Sequence, residues 1–215
     1  MADDRVDQAA TFDSSADLYQ QARPDYPEDL FDRLVAITGL RPGDRVFEVG
    51  AGPGKATLPL ARRGLMVTAL EPGPALAAEA RRNLGGYPVE IIEVRFEEWD
   101  GEPGSYDAVI AATSWHWVDP EVRWSAAARA LRPNGHLAVW SATHVFPPGG
   151  DPFFDEIQQV YDAIGEGLPN GAPRPEPGQL PDEGLEIEGS GLFNVVATEQ
   201  FAWTRDYDAE GYIPL

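Results

Sequence analysis

The sequence predicts an α/β fold of the Rossmann-like, doubly wound kind, a mostly parallel sheet with helices on both faces. Two observations carry this. Short apolar runs alternate with helical patterns along most of the chain, the rhythm of βαβ units. One of these runs, Val46-Phe47-Glu48-Val49, passes into a glycine-rich loop and then a helix, the arrangement that places a ligand at the carboxyl edge of such a sheet.

Residues 1–27 are polar, and Pro24 and Pro27 prevent a continuous helix there. A helix is expected from about Glu28 to Thr38, ended by Gly39, with Arg41-Pro42-Gly43-Asp44 as a turn. The first strand is read over Arg45 to Val49, and a helix follows the glycine loop to about Arg63. The second strand is Met66 to Leu70. Pro74 suits the first position of an alanine-rich helix that runs to Leu84. Val89 to Val94 and Asp107 to Ala112 read as the third and fourth strands, the latter apolar enough for a sheet centre. Asp119-Pro120 has the chemistry of a helix start, an Asp cap before Pro at the first position, for a helix to Leu131. A turn at 132–135 precedes a fifth strand from His136 to Ser141. Pro152 to Ile164 is expected to be helical, 165–184 a loop, and Asn194 to Thr204 a late strand. The whole is read as one domain: a leader and first helix (1–40), a cofactor-binding core (41–145) and an acceptor-side region (146–215).

The 215 residues include 16 basic and 36 acidic side chains, a net charge of −20. That surface repels phosphate backbones and anionic lipid, which argues against nucleic acid and membrane partners. Cysteine is absent, which removes disulfides, thiolate catalysis and cysteine-ligated zinc. The acidic start MADDRVDQAA has no apolar run of a signal peptide. The expectation is a cytoplasmic monomer or homodimer acting on a small molecule.

Glu71 lies 21 residues beyond Gly50, at the end of the second strand, where a carboxylate accepts hydrogen bonds from ribose hydroxyls. Three ligands use such a crevice. The dinucleotide pattern G-x-G-x-x-G needs glycine at 55, where Lys55 stands. The phosphate-loop pattern fails at Val49 and at Ala56. The remaining pattern, acidic-x-G-x-G-x-G, is met by Glu48, Gly50, Gly52 and Gly54.

This stretch resembles motif I of class I S-adenosylmethionine-dependent methyltransferases. The resemblance extends to Phe12-Asp13 through Arg23-Pro24-Asp25-Tyr26-Pro27, to Arg95-Phe96-Glu97-Glu98-Trp99, to Tyr106-Asp107, to Trp115-His116-Trp117-Val118-Asp119-Pro120 and to Leu131-Arg132-Pro133-Asn134-Gly135. These look like a bacterial small-molecule subgroup, matched over about residues 12–215. The resemblance implies S-adenosyl-L-methionine as cofactor and a small-molecule acceptor methylated at O, N or C. It implies cofactor contacts from Tyr19, Arg23, Glu48, Gly50, Ala51, Gly52, Gly54, Glu71, Pro72, Phe96, Glu97 and Thr113. Arg95 stands where the family often has an adenine-binding acid, and Glu97 is the substitute. His116 is the one candidate acid–base residue, set against a role as pocket wall; no metal site is expected. Members of the subgroup continue beyond Tyr207 with a further strand, so the sequence reads as short of it. The rival readings are a catalytically silent cofactor-binding protein and an NAD(P)-dependent oxidoreductase.

Overall fold

The alternating apolar runs build one parallel sheet. The computed structural model describes residues 24–146, 149–164, 175–180 and 184–208. Its strands are β1 (Arg45–Val49), β2 (Met66–Leu70), β3 (Val89–Ile92), β4 (Tyr106–Ala112) and β5 (Leu131–Trp140), in the order β3-β2-β1-β4-β5. Every neighbouring pair is parallel. The helices are α1 (Glu28–Thr38), α2 (Thr57–Arg62), α3 (Pro74–Asn83), α4 (Arg123–Ala130), α5 (Phe153–Ile164) and α6 (Gly184–Gly189). The chain reverses its winding after β3 to place β4 on the other side of β1. The carboxyl ends of β1 and β4 therefore flank the switch point where doubly wound sheets bind ligands.

Period-two alternation along the central strands feeds two cores. Val46, Val67, Ala69, Ala108 and Ile110 pack on one face with Phe31 and Leu34 of α1 and Leu60 of α2. Phe47, Val49, Val109 and Ala111 pack on the other with Phe96, Tyr106, Trp115 and Ala127 of α4. The second core is aromatic: the Phe47 ring centroid lies 4.6 Å from Tyr106 and 4.6 Å from Trp99.

The α1, β1 and β2 bounds agree with the sequence reading, and Gly39 closes α1 in the left-handed conformation, φ 69°, donating its N–H to Val35 O. Pro74 is the first residue of α3. Three expectations are corrected. Asp119-Pro120 does not open α4: the Asp119 carboxylate accepts the Glu121 N–H, its carbonyl accepts the Arg123 N–H, and the helix begins at Arg123. The turn at 132–135 belongs to β5, as an irregularity between the pairings of Tyr106 with Leu131 and Ala108 with His136, and Asn134 takes φ 61° there. Residues 194–204 form no strand, and the short helix α6 begins at the last residue of the expected loop, in a stretch that carried no expectation of its own. The β-branched run Val195-Val196 has strand propensity, yet none of these residues is paired into the sheet, and propensity alone does not form a strand.

Candidate active site

Three strands end at the same edge and deliver the site. Val49 at the tip of β1 leads into the loop of Gly50 to Gly54, whose glycines at 50, 52 and 54 all have positive φ (71°, 54° and 93°). At Gly50 even a methyl group is excluded: a Cβ would sit 2.6 Å from Ser114 Cβ. Ser114, just past β4, donates its hydroxyl to Val49 O and so locks the two strand tips together.

Glu71, at the tip of β2, fastens the loop. It is 6% exposed. One carboxylate oxygen accepts the Gly52 N–H at 2.7 Å, and the other accepts the Gly73 N–H at 2.9 Å. These two bonds fix the loop and the start of α3 around one anion, and a carboxylate has about four acceptor sites in all.

Glu48 lies fully enclosed on β1. Its Oε2 accepts the Thr57 hydroxyl at 2.6 Å, while its Oε1 is buried without a hydrogen-bond partner. Burial pushes its carboxyl from an ordinary 4.5 to about 8; the Thr57 hydrogen bond opposes this and the nearby Glu71 charge adds to it.

Thr113 ends β4 with φ 56°, a strained conformation for a β-branched residue. Three contacts hold it there. Its N–H donates to Trp140 O at 2.7 Å, its hydroxyl accepts the Ala142 N–H at 3.3 Å, and the same hydroxyl bonds the Tyr26 hydroxyl at 2.8 Å. Tyr26 and Asp25 tie the segment before α1 to this edge. Asp25 holds Lys55 of the loop at 2.7 Å. Tyr26 meets Phe31 and Trp140 edge to face.

These residues open onto one cleft of about 2090 Å³. Glu48, Gly50, Ala51, Gly52, Glu71, Pro72, Phe96, Glu97, Thr113 and His116 line it, so nearly every described residue assigned by resemblance meets there. Gly54 is the exception; a Cβ on it would meet the Leu84 side chain at 2.9 Å instead. Tyr19 and Arg23 lie outside the described residues. Phe96 is buried, with its ring 5.8 Å from Phe47 and 6.2 Å from Trp115, and also faces the cleft. Glu97 accepts the Asp119 N–H at 2.9 Å and sits 3.5 Å from the Arg95 guanidinium. His116 is exposed, in a single 3₁₀ turn (Trp115–Trp117), its ring 4.6 Å from that of Trp117.

The rest of the lining comes from 141–146 after β5, the first turns of α5 and 199–208, the last two within the region expected on the acceptor side but with no residue singled out there. Ser114, Tyr26 and Asp25 were missed as well. Asp25 and Tyr26 lie in a stretch that carries the family resemblance, but neither was assigned a role in the site, and nothing in the sequence pairs Ser114 with β1. Among the described residues there is no group of three or more His, Cys, Asp or Glu placed to hold a metal, and no helix long and apolar enough to cross a membrane.

The arrangement has the polarity of a nucleoside site with a charged tail: a glycine cradle with free approach, one acid at the β2 tip and one buried acid beneath the loop. Comparison with known proteins agrees. A methyltransferase domain model matches residues 47–139. An uncharacterized methyltransferase of Mycobacterium tuberculosis is 31% identical over 212 residues, 98% of this chain and 77% of that protein. Among solved structures, an inferred S-adenosyl-L-methionine-dependent methyltransferase of Methanococcus maripaludis superposes with a TM-score of 0.52 at 17% identity, over 70% of this chain and 69% of the other, which is a likeness of fold. An inferred type II methyltransferase of Anaeromyxobacter dehalogenans superposes with a TM-score of 0.50 at 28% identity, over 66% of this chain; the chain spans 57% of its length. Sheet order, glycine loop and near full-length relatedness together place the chain in the class I S-adenosylmethionine-dependent methyltransferases.

Proposed function

We propose that the cleft transfers the methyl group of S-adenosylmethionine to a small-molecule acceptor, with the cofactor along the β1, β2 and β4 tips. The observation that carries this reading is the pairing of a loop that excludes side chains at Gly50 with two acids of different character, Glu71 and Glu48. Glu71 takes the ribose hydroxyls while its bonds to Gly52 and Gly73 keep the loop in place. Glu48 offers its unpartnered Oε1 to the ammonium of the methionine end. Phe96, Glu97 and Pro72 border the adenine side, and Gly50, Ala51, Gly52 and Thr113 the sulfur side. A cleft of about 2090 Å³ exceeds the roughly 300–1,000 Å³ of a one-ligand pocket, which leaves room for an acceptor beside the cofactor.

The cofactor supplies a methyl carbon on a sulfonium. Bound in the cleft, it would offer that carbon to an acceptor lone pair, with the carbon–sulfur pair left on sulfur and a proton lost from the acceptor. The protein's part is to orient two molecules in line and to exclude competing geometry. His116, exposed in the cleft, takes the proton. In His116→Gln, turnover of an acceptor should slow at least tenfold with cofactor affinity unchanged; equal turnover makes His116 a wall.

Calorimetric titration with S-adenosylmethionine, S-adenosylhomocysteine and NADH tests the reading. Micromolar binding of the first two and none of NADH is expected. At 100 times Kd a ligand stabilises by about 2.7 kcal/mol, about 5–11 °C in Tm for a chain of this size. Glu71→Ala should abolish it. NADH binding in place of the sulfonium pair, or no binding by a folded chain, defeats the proposal.

A further inference from the structure

The lining that residues 144–161 contribute to the cleft is built from rings. His144 and Phe146, just after β5, stack at 4.7 Å. Phe154 of α5 stands edge-on to both, 4.6 Å from His144 and 5.8 Å from Phe146, and Phe153 adds a fourth ring 5.5 Å from Phe154. Ile157 and Tyr161 continue the same lining one and two turns along the helix. None of these residues belongs to the loop, to the two acids or to the strand tips. Ring planes that alternate between stacked and edge-on offer a further planar ring both a face and an edge to pack against.

The charges around this wall select among ring compounds. Asp151, Glu199, Asp206 and Asp208 line the same cleft. Of the cleft's basic groups, Lys55 pairs with Asp25, Arg95 lies 3.5 Å from Glu97, and the Arg205 guanidinium lies 5.0 Å over the Tyr207 ring. Glu199 is itself held by Arg33 of α1, and the Asp151 carboxylate caps α5 through the Phe153 N–H at 2.9 Å. An acceptor carrying a carboxylate or phosphate would enter a space whose described lining carries more carboxylates than lysines and arginines. An uncharged ring packs against the ring faces and carries no charge to desolvate.

We propose that His144, Phe146, Phe153, Phe154, Ile157 and Tyr161 form the acceptor subsite, and that the acceptor is an uncharged aromatic molecule. This rests on the methyltransferase reading of the cleft and names the substrate class it takes.

The test uses 2-naphthol, 2-naphthoate and 2-decalol as probes of ring, charge and shape. Their binding to the full chain is followed by calorimetry, and that of the two naphthyl compounds also by probe fluorescence, with saturating S-adenosylhomocysteine present. 2-Naphthol is expected to bind at least about tenfold tighter than either of the others. Phe154→Ala should weaken 2-naphthol by about tenfold or more, the scale of a lost buried ring contact, while leaving the affinity for S-adenosylhomocysteine unchanged. Phe154→Leu, which keeps an apolar side chain and loses the ring, should fall between. Unchanged S-adenosylhomocysteine binding certifies that each variant is folded. Naphthoate binding as tightly as naphthol, decalol binding as tightly, or a Phe154→Ala variant that binds naphthol like the parent, overturns the proposal. A chain that binds S-adenosylhomocysteine but not naphthol overturns this proposal alone; a chain that binds neither overturns the methyltransferase reading together with it.

Discussion

Glu48 should make the protein less stable as the pH rises toward 8. Its carboxyl is enclosed on β1, and desolvation is the main cause of its shift from 4.5 to about 8. The folded chain therefore keeps a proton that the unfolded chain releases. Below about 4.5 both states are protonated and the group's contribution is fully present. As pH rises from there the unfolded state gains by ionising, and the folded state does not follow until about 8. One proton is worth about 1.4 kcal/mol per pH unit, so the loss over this window has a ceiling of about 5 kcal/mol. The perturbation is Glu48→Gln, which is neutral at every pH and retains an oxygen to accept the Thr57 hydroxyl. All other ionisable groups are common to both proteins, so the difference between them isolates Glu48. Urea unfolding without ligand at several pH values from 5 to 8 is the assay. The variant should match the parent near pH 5 and gain on it by roughly 1 kcal/mol per unit thereafter. Parallel stability curves would refute the argument, because they would mean that Glu48 ionises in the folded state as readily as in the unfolded one.

Two further substitutions probe how the site is assembled. Gly50→Ala places a Cβ 2.6 Å from Ser114 Cβ at φ 71°; a cost of about 1–3 kcal/mol and weaker cofactor binding are expected, and thermal melts with titration that show neither would remove the close approach as the reason for glycine. Arg123 is 8% exposed, lies 4.9 Å over the Trp124 ring and pairs with Glu186 of α6; Arg123→Ala should cost about 1–3 kcal/mol and speed proteolysis near 184–189, and an unchanged cleavage rate would show that α6 is held by other contacts.

How far the sequence reaches depends on which physical constraint sets each part. The half of the molecule that carries the cofactor loop obeys strong local rules. A strand buried on both faces must be apolar, so β1, β2 and β4 show as runs. A loop in which a Cβ at position 50 would sit 2.6 Å from Ser114 Cβ must have glycine there, and an acid that ties two backbone N–H groups around the loop stands at a strand tip, as Glu71 does. What the pattern did not give is the use made of those groups within the fold. Glu71 holds its own loop, and Glu48 spends one oxygen on Thr57; both bonds join residues on different elements, which spacing cannot pair. The helix after β4 failed for a related reason. Asp119 and Pro120 have the chemistry of a helix start, but the Asp119 N–H is drawn to Glu97 and its carboxylate to Glu121, so the first turn closes as a separate turn and α4 begins at Arg123.

The half facing the loop is under weaker local rules, which is why it was legible only as elements. α5 emerged within a residue of its expected start, because its apolar period is set by one face. That this face, together with His144 and Phe146, closes a cleft whose other wall is nearly a hundred residues earlier in the chain depends on how residues 141–154 cross the β5 tip. The crossing is fixed by Thr113: its N–H donates to Trp140 O and its hydroxyl accepts the Ala142 N–H. A single strained threonine at the switch of the sheet thus couples the cofactor edge to the ring wall. It binds to Tyr26 as well, so the segment before α1 shares the same anchor. The positive φ at Thr113 is then intelligible as a cost of about 1–3 kcal/mol, offset by three hydrogen bonds that bring both walls of the cleft and the chain's entering segment to one point.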